Sequence, residues 1–307
     1  MSGKKPPVNL AHSVRDRLLA ISRNTGEEAN LIWTRYAVER LLYRLSLTPH
    51  RRQFVLKGAL LFLVWSRQRY RPTRDLDLLG FGAGSAARLR KVFGDICRVE
   101  SEPDGLAFDP ASVTISDIRE DREYMGKRVR LTALLGKATI PLQVDVGFGD
   151  AVTPPPEEIS YPALLDFPAP RLLAYRRETT VAEKLHAMAE RGMATSRMKD
   201  FHDIFVLSRD FPFGARELAA AIKATFAARG AALPAEVPAV LTDRCAEDAA
   251  KNLQWKAFLR KGHIGEKVPA LPSLLKGLRE FLGPVLLGAL GIEPMPGTWR
   301  PGGPWRR

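Results

Sequence analysis

Cysteine is nearly absent from this chain. Only Cys97 and Cys245 occur, far apart in the sequence. Two such residues support neither a disulfide framework nor a cysteine-based metal knuckle, and they point to a reducing cytoplasm. Histidine is also sparse, at five residues. His186 and His202 show no metal-ligand spacing and are expected to pack or to sit on the surface. Long hydrophobic runs are missing. Phe281 to Ile292 is apolar but falls well short of the ~20 residues that span a bilayer, so it reads as a buried helix and no membrane partner is expected. Met1 to Pro7 leads into an amphipathic stretch with Arg15 and Asp16, not into an apolar signal core. No internal repeat is visible. What remains is a globular composition, 45% hydrophobic over 307 residues, enough for one large domain or two modest ones.

The charge is strongly basic and unevenly spread. The formal net charge is +13. The first hundred residues carry 19 basic and 8 acidic side chains, the second hundred 13 and 16, and the remainder 15 and 10. A basic N-terminal third implies a polyanionic partner, nucleic acid ahead of anionic lipid.

Periodicity divides the chain into helices, then a mixed α/β core, then a helical C-terminal half. Asn9 or Ser13 caps a first helix, and a second runs from about Thr25 toward Leu47. These helices carry Arg15, Arg17, Arg35, Arg40 and Arg44, expected as phosphate contacts. Thr48-Pro49 stops the pattern. Phe54 to Leu56 reads as a short buried strand, followed by a Lys57-Gly58 turn and an apolar helical segment, Ala59 to Val64. Thr73 to Phe81 reads as a strand, and Ser85 caps a helix to about Val99. Val113–Ile118, Arg128–Leu135 and Thr139–Phe148 read as strands, the last two joined at Gly136-Lys137. The boundaries expected are basic helices over 1–50, an α/β core over 51–150, a proline-rich connector over 151–172, a helical domain over 173–293 and a flexible tail over 294–307.

The most telling pattern is Thr73-Arg74-Asp75-Leu76-Asp77-Leu78. Side chains alternate along a strand, so Asp75 and Asp77 share one face while the leucines take the other. Two carboxylates on one rigid face suit a hard divalent cation. Gly58, just upstream, permits close approach of backbone amides to a phosphate. A third carboxylate, Asp145 in Leu142-Gln143-Val144-Asp145-Val146, stands opposite its apolar neighbours. If its strand adjoins that of the aspartate pair, the trio could hold two Mg²⁺ ions, with Mn²⁺ the alternative. Arg67, Arg69, Arg71 and Arg74 flank the pair and either hold substrate phosphates or balance the acids. Further along, Lys184 could reach a nucleotide phosphate as a point charge, although on spacing alone it is an ordinary exposed helix lysine. Asp200 and Asp203 share one face of a helix and form an ordinary salt-bridged face, or Asp200 alternatively fixes Lys184.

Six ordered stretches, FVLKGALLF, RPTRDLDLLGFG, YMGKRVRL, LQVDVGFGD, VAEKLHAM and SRMKDFHDIF, together resemble the abortive-infection (AbiE-type) toxin nucleotidyltransferase family of type IV toxin–antitoxin systems. The resemblance implies an α+β fold: a polymerase-β-like nucleotidyltransferase core, a mixed sheet with flanking helices, plus a helical C-terminal domain. It implies Asp75 and Asp77 as the metal pair, Asp145 as a further acidic site residue, Lys184 as the nucleotide-phosphate lysine and Asp200 as the late acidic residue. Lys57, Gly58, Thr73 and Arg74 join the nucleotide-binding set, with Glu183, Arg197 and Asp203 in support. Ala59 departs from the Gly or Ser often found after the first glycine. An NTP is the implied co-substrate, RNA the acceptor, and a cognate antitoxin or transcriptional regulator the partner. Some toxins of this type modify the 3′ end of tRNA. The competing readings are a Mg²⁺-dependent nuclease and a non-catalytic nucleic-acid-binding regulator.

Overall fold

The computed structural model describes residues 9–66, 73–118, 126–262, 264 and 268–306. The chain divides into two compact units, one of residues 1–149 with 157–174, the other of residues 150–156 with 175–307. Arg67, Arg69 and Arg71 lie outside the described residues, as do Tyr124 and Met125.

The first unit opens with α1 (Leu10–Thr25), capped by Asn9, whose side chain accepts from His12 N. Next come α2 (Ala29–Leu47) and a 3-10 turn at Pro49–Gln53. Then follow β1 (Phe54–Lys57), a 3-10 turn at Gly58–Leu60, α3 (Leu61–Trp65), β2 (Leu76–Gly80) and α4 (Ala86–Arg98). The unit closes with β3 (Leu106–Ile118), β4 (Gly126–Leu135), β5 (Ala138–Phe148), β6 (Glu157–Ser160) and β7 (Arg171–Ala174). All seven strands form one mixed sheet in the order β3-β4-β5-β2-β1-β7-β6. Two pairings are parallel, β2 with β5 and β1 with β7, and the rest are antiparallel.

Alternation sets the faces. Leu76, Leu78, Val129, Leu131, Leu142, Val144 and Val146 are buried on one side. On α4, Leu89, Val92, Phe93 and Ile96 recur at helical spacing and are buried. Each fully buried Leu, Val or Phe contributes about 1.5–3 kcal/mol. The connector expected over 151–172 is in part sheet: β6 lies within it and pairs antiparallel with β7.

Two of the basic residues expected at the surface are buried. Arg40 is fully buried and Arg44 nearly so. Arg40 Nε lies 2.9 Å from Asp104 Oδ2, and Arg44 donates to both Asp104 oxygens at 2.7 and 3.1 Å. Arg35 pairs with Glu27 at 2.9 Å. Arg40 and Arg44 therefore neutralise an internal carboxylate and are not phosphate contacts: an unpaired buried charge costs several kcal/mol. Beside them, burial pushes the Glu39 carboxyl up to about 7, opposed by the hydrogen bond from Leu164 N.

The second unit contains α5 (Arg177–Arg191), α6 (Met198–Asp210), β8 (Phe213–Gly214) and α7 (Ala215–Ala228). It continues with α8 (Asp243–Glu247), α9 (Ala249–Lys261) and α10 (Leu271–Leu290), and ends with β9 (Thr298–Trp299) and β10 (Trp305–Arg306). The flexible tail expected over 294–307 is instead built into this unit. β9 pairs with both β8 and β10, and Trp299 is buried. Proline and glycine punctuate this segment, but two indoles give it apolar surface to bury. Among the described residues no helix is long and apolar enough to cross a membrane.

Candidate active site

Strand register brings together the predicted residues of the first unit. β1 pairs Lys57 with Asp77, β2 pairs Asp77 with Asp145, and β4 pairs Arg128 with Asp145. Directly opposed residues lie on the same face. Lys57, Asp77, Asp145 and Arg128 therefore form one transverse row across four strands, cationic at both ends and anionic in the middle. Adjacent strands lie ~4.8 Å apart, so the two central carboxylates are near neighbours. One pleat along, Gln143 opposes Arg130, and its Nε2 donates to Asp75 Oδ1 at 3.2 Å. The register thus places Asp75, Asp77 and Asp145 on one face, with the buried leucines and valines on the other.

Gly58 closes this row from the β1 side. Its φ is +76°, in the left-handed region that side chains disfavour. A Cβ there would overlap the Asp77 carboxylate, 2.8 Å from its Cγ. The backbone at the end of β1 is thus pressed against Asp77. The apolar segment that follows, expected as one helix over Ala59 to Val64, is a 3-10 turn and then the single-turn helix α3. Thr73 is half-buried, and Asp75 and Arg74 are exposed. Arg74 pairs with Glu28 at 3.0 Å; both are well exposed, so the pair is worth little and can open.

Arg128 was not among the residues singled out from sequence. Its Nε and Nη2 donate to Asp145 Oδ1 and Oδ2 at 2.8 and 2.7 Å, a bidentate pairing. The signal was present in the chain: the Gly136-Lys137 turn fixes the β4–β5 register, and that register sets Arg128 opposite Asp145.

The other half of the predicted set lies in the second unit. Lys184 on α5 donates to Asp200 Oδ1 at 2.9 Å and to Asp203 Oδ2 at 2.6 Å, both on α6. Arg197 Nε donates to Asp200 Oδ2 at 2.6 Å. The two aspartates are almost fully buried, while Lys184 retains 12% side-chain exposure. Burial pushes the Asp200 carboxyl up, but Lys184 and Arg197 outweigh it and hold it below the usual range. Of the two readings open for Asp200, it fixes Lys184. Glu183 accepts from the Tyr175 hydroxyl at 3.1 Å, and Arg229 joins the same network through Asp150 at 3.1 Å. Burial, then Arg229, lowers the His186 pKa.

The donor chemistry in the first unit, three carboxylates, suits a hard divalent ion better than zinc. The guanidinium of Arg128 marks a cation-accepting position on Asp145. As the side chains stand, however, Arg128 takes both Asp145 oxygens. Among the described residues no group of three or more Asp, Glu, His or Cys side chains is gathered to hold a metal.

The first unit is thus a seven-stranded mixed sheet with acidic residues on its central strands. The same overall fold occurs in MenT4, a nucleotidyltransferase toxin from Mycobacterium tuberculosis H37Rv, at TM-score 0.52 and 17% identity, covering 92% of this chain and 98% of that one. A candidate nucleotidyltransferase from H. pylori aligns at TM-score 0.48 and 15% identity over 83% of this chain and 93% of that one. A search of curated protein sequences gives no match. The family model described as nucleotidyl transferase AbiEii toxin, type IV TA system, matches residues 40–276. The chain belongs to the AbiEii family of nucleotidyltransferase toxins.

Proposed function

We propose that this chain transfers a nucleoside monophosphate from an NTP to a hydroxyl on RNA, with the 3′ end of tRNA as acceptor, and so halts translation. The acceptor oxygen attacks the α-phosphorus, the bond to the β-phosphate oxygen breaks, pyrophosphate leaves, and the hydroxyl proton passes to water. The observation that carries this reading is the row Lys57–Asp77–Asp145–Arg128, in a chain of this family. Asp75 and Asp77 would hold a Mg²⁺ or Mn²⁺ ion, with Asp145 joining on release from Arg128. Such an ion supplies neutralisation of phosphate charge.

The chain's own residues do the positioning, which dominates phosphoryl-type transfer. Lys57 and the tight Gly58 backbone approach the phosphates beside Asp77, and Thr73 and Arg74 flank them. Lys184 is assigned to the β- or γ-phosphate. Asp200 and Asp203 hold its ammonium in one place, so little rotamer entropy is lost when a phosphate arrives; Glu183 and Arg197 support that arrangement. A cognate antitoxin and a cytoplasmic location complete the reading.

The test is incubation of the purified chain with each labelled NTP, Mg²⁺ and total RNA, with product 3′ ends sequenced. Lengthening that requires NTP supports transfer. Shortening without NTP would select a nuclease instead, and no labelled product from a folded preparation overturns the proposal. Asp75→Ala and Asp77→Ala are each expected to abolish labelling while the far-UV circular dichroism stays unchanged.

A further inference from the structure

Arg128 and Arg130 project from the same face of β4, two residues apart, yet their situations differ. Arg128 is committed to Asp145 through two hydrogen bonds. Arg130 is exposed, and among the described residues its side chain makes no ion pair or hydrogen bond. It is not claimed by the nearest acids. Gln143, its partner across the ladder, donates to Asp75, and Asp145, its diagonal neighbour at ~7–8 Å, is held by Arg128. On the other side, Arg130 opposes Thr114 and Arg128 opposes Ser116. Both hydroxyl residues are exposed. Among the described residues, the β3–β4 side of the carboxylate row therefore presents the Arg130 guanidinium and the Thr114 and Ser116 hydroxyls, all outward and uncommitted. The β1 side has a different character, with Lys57 and the Gly58 backbone pressed on Asp77.

We propose that this asymmetry assigns the two substrates to opposite sides of the row, and that Arg130, with Thr114 and Ser116, forms the landing surface for the acceptor strand. The proposal rests on the nucleotidyl-transfer reading above and deepens it. The chemistry matches a single-stranded RNA backbone. Guanidinium and hydroxyl groups donate to phosphate oxygens and position the strand without reading its sequence. Thr114, Ser116 and Arg130 are exposed on the face that carries the carboxylates, where the terminal hydroxyl must arrive. Arg130 is thus a positioning residue for the acceptor and has no part in gripping the NTP.

The test uses the full chain and a 5′-fluorescein-labelled single-stranded RNA of about 12 nucleotides. Binding is read by anisotropy against salt, alongside KM for RNA and KM for NTP. Arg130→Glu and Arg130→Ala are expected to weaken RNA binding by about fivefold or more and to lower the salt slope by ~0.7 for the lost phosphate contact. KM for NTP should hold, and Arg130→Lys should recover most of the binding. Arg90→Ala, an exposed arginine on α4, serves as the control and should change nothing. Unchanged RNA affinity in both Arg130→Glu and Arg130→Ala would overturn the assignment, as would equal losses for RNA and NTP. Failure of the wild-type chain to label RNA with any NTP overturns the transfer reading itself, a separate outcome from either of these.

Discussion

Arg128 and Asp145 meet across the β4–β5 ladder, with Nε donating to Oδ1 at 2.8 Å and Nη2 to Oδ2 at 2.7 Å. The pair closes one end of the carboxylate row. A guanidinium bound this way competes with any cation that needs the same oxygens. Arg128→Ala is therefore expected to raise affinity for Mn²⁺, measured by electron paramagnetic resonance or calorimetry, by about threefold to tenfold, about 1 kcal/mol for one half-exposed pair. Asp145→Asn should lower that affinity. A weaker Mn²⁺ site in Arg128→Ala would show that the guanidinium organises Asp145 and does not compete for it.

This pairing also shows what the sequence makes legible. The two-residue turn at Gly136-Lys137 joins Leu135 to Ala138, and stepping back seven residues along each arm reaches Arg128 and Asp145. Hairpin register is local, so it can be read from the turn. The pairing of β2 with β5 is different. It is parallel and joins segments far apart in the chain. Nothing in the local pattern of Asp75 and Asp77 names Asp145 as a neighbour. Likewise the burial of Arg40 and Arg44 depends on Asp104, some sixty residues away, which no helical periodicity reveals.

Gly58 carries two constraints at once. Its φ of +76° strains any side-chain residue, and a Cβ would strike the Asp77 carboxylate. Gly58→Ala is expected to destabilise the first unit by about 1–3 kcal/mol and to abolish nucleotide transfer by displacing Asp77. Urea denaturation followed by circular dichroism reads the first effect and the labelled-NTP assay reads the second. A fully active, fully stable Gly58→Ala chain would contradict the close packing of β1 against Asp77.

Lys184 is the positive charge shared by two buried carboxylates on α6. Lys184→Met leaves Asp200 with Arg197 and removes a partner of Asp203, which should cost about 3–5 kcal/mol. The pH dependence follows from Asp200, whose pKa is depressed in the folded chain. A depressed carboxyl stabilises the fold above its unfolded value of ~3.9 and loses that contribution as pH falls through the lower folded value. Stability of the wild-type chain should therefore fall on acidification below about pH 4. Asp200→Asn should flatten that slope while lowering stability at pH 7. Denaturation midpoints between about pH 2 and 7 measure both; an unchanged acid slope in Asp200→Asn would remove Asp200 as its source.

The last residues of the chain make the sharpest test of how far composition misleads. Proline and glycine crowd residues 294–304, and such crowding reads as a loose end. Yet Trp299 Nε1 donates to Ser208 O at 2.6 Å, and Trp305 Nε1 donates to Phe281 O at 2.9 Å. Phe281 lies 5.0 Å from the Trp299 ring and stacks on Trp305 at 5.8 Å. Phe213 adds an edge contact to Phe281 at 5.1 Å. The prolines and glycines make the turns that return two indoles to α10, and burial of those indoles outweighs the entropy of ordering a short segment. Trp299→Ala is then a core truncation, expected to cost about 3–5 kcal/mol. Trp305→Ala should cost less, because Trp305 is only half-buried. A truly loose tail would tolerate both substitutions and would be trimmed rapidly by protease in the native chain. Thermal melts of the two variants, with limited proteolysis of the wild type, separate these outcomes.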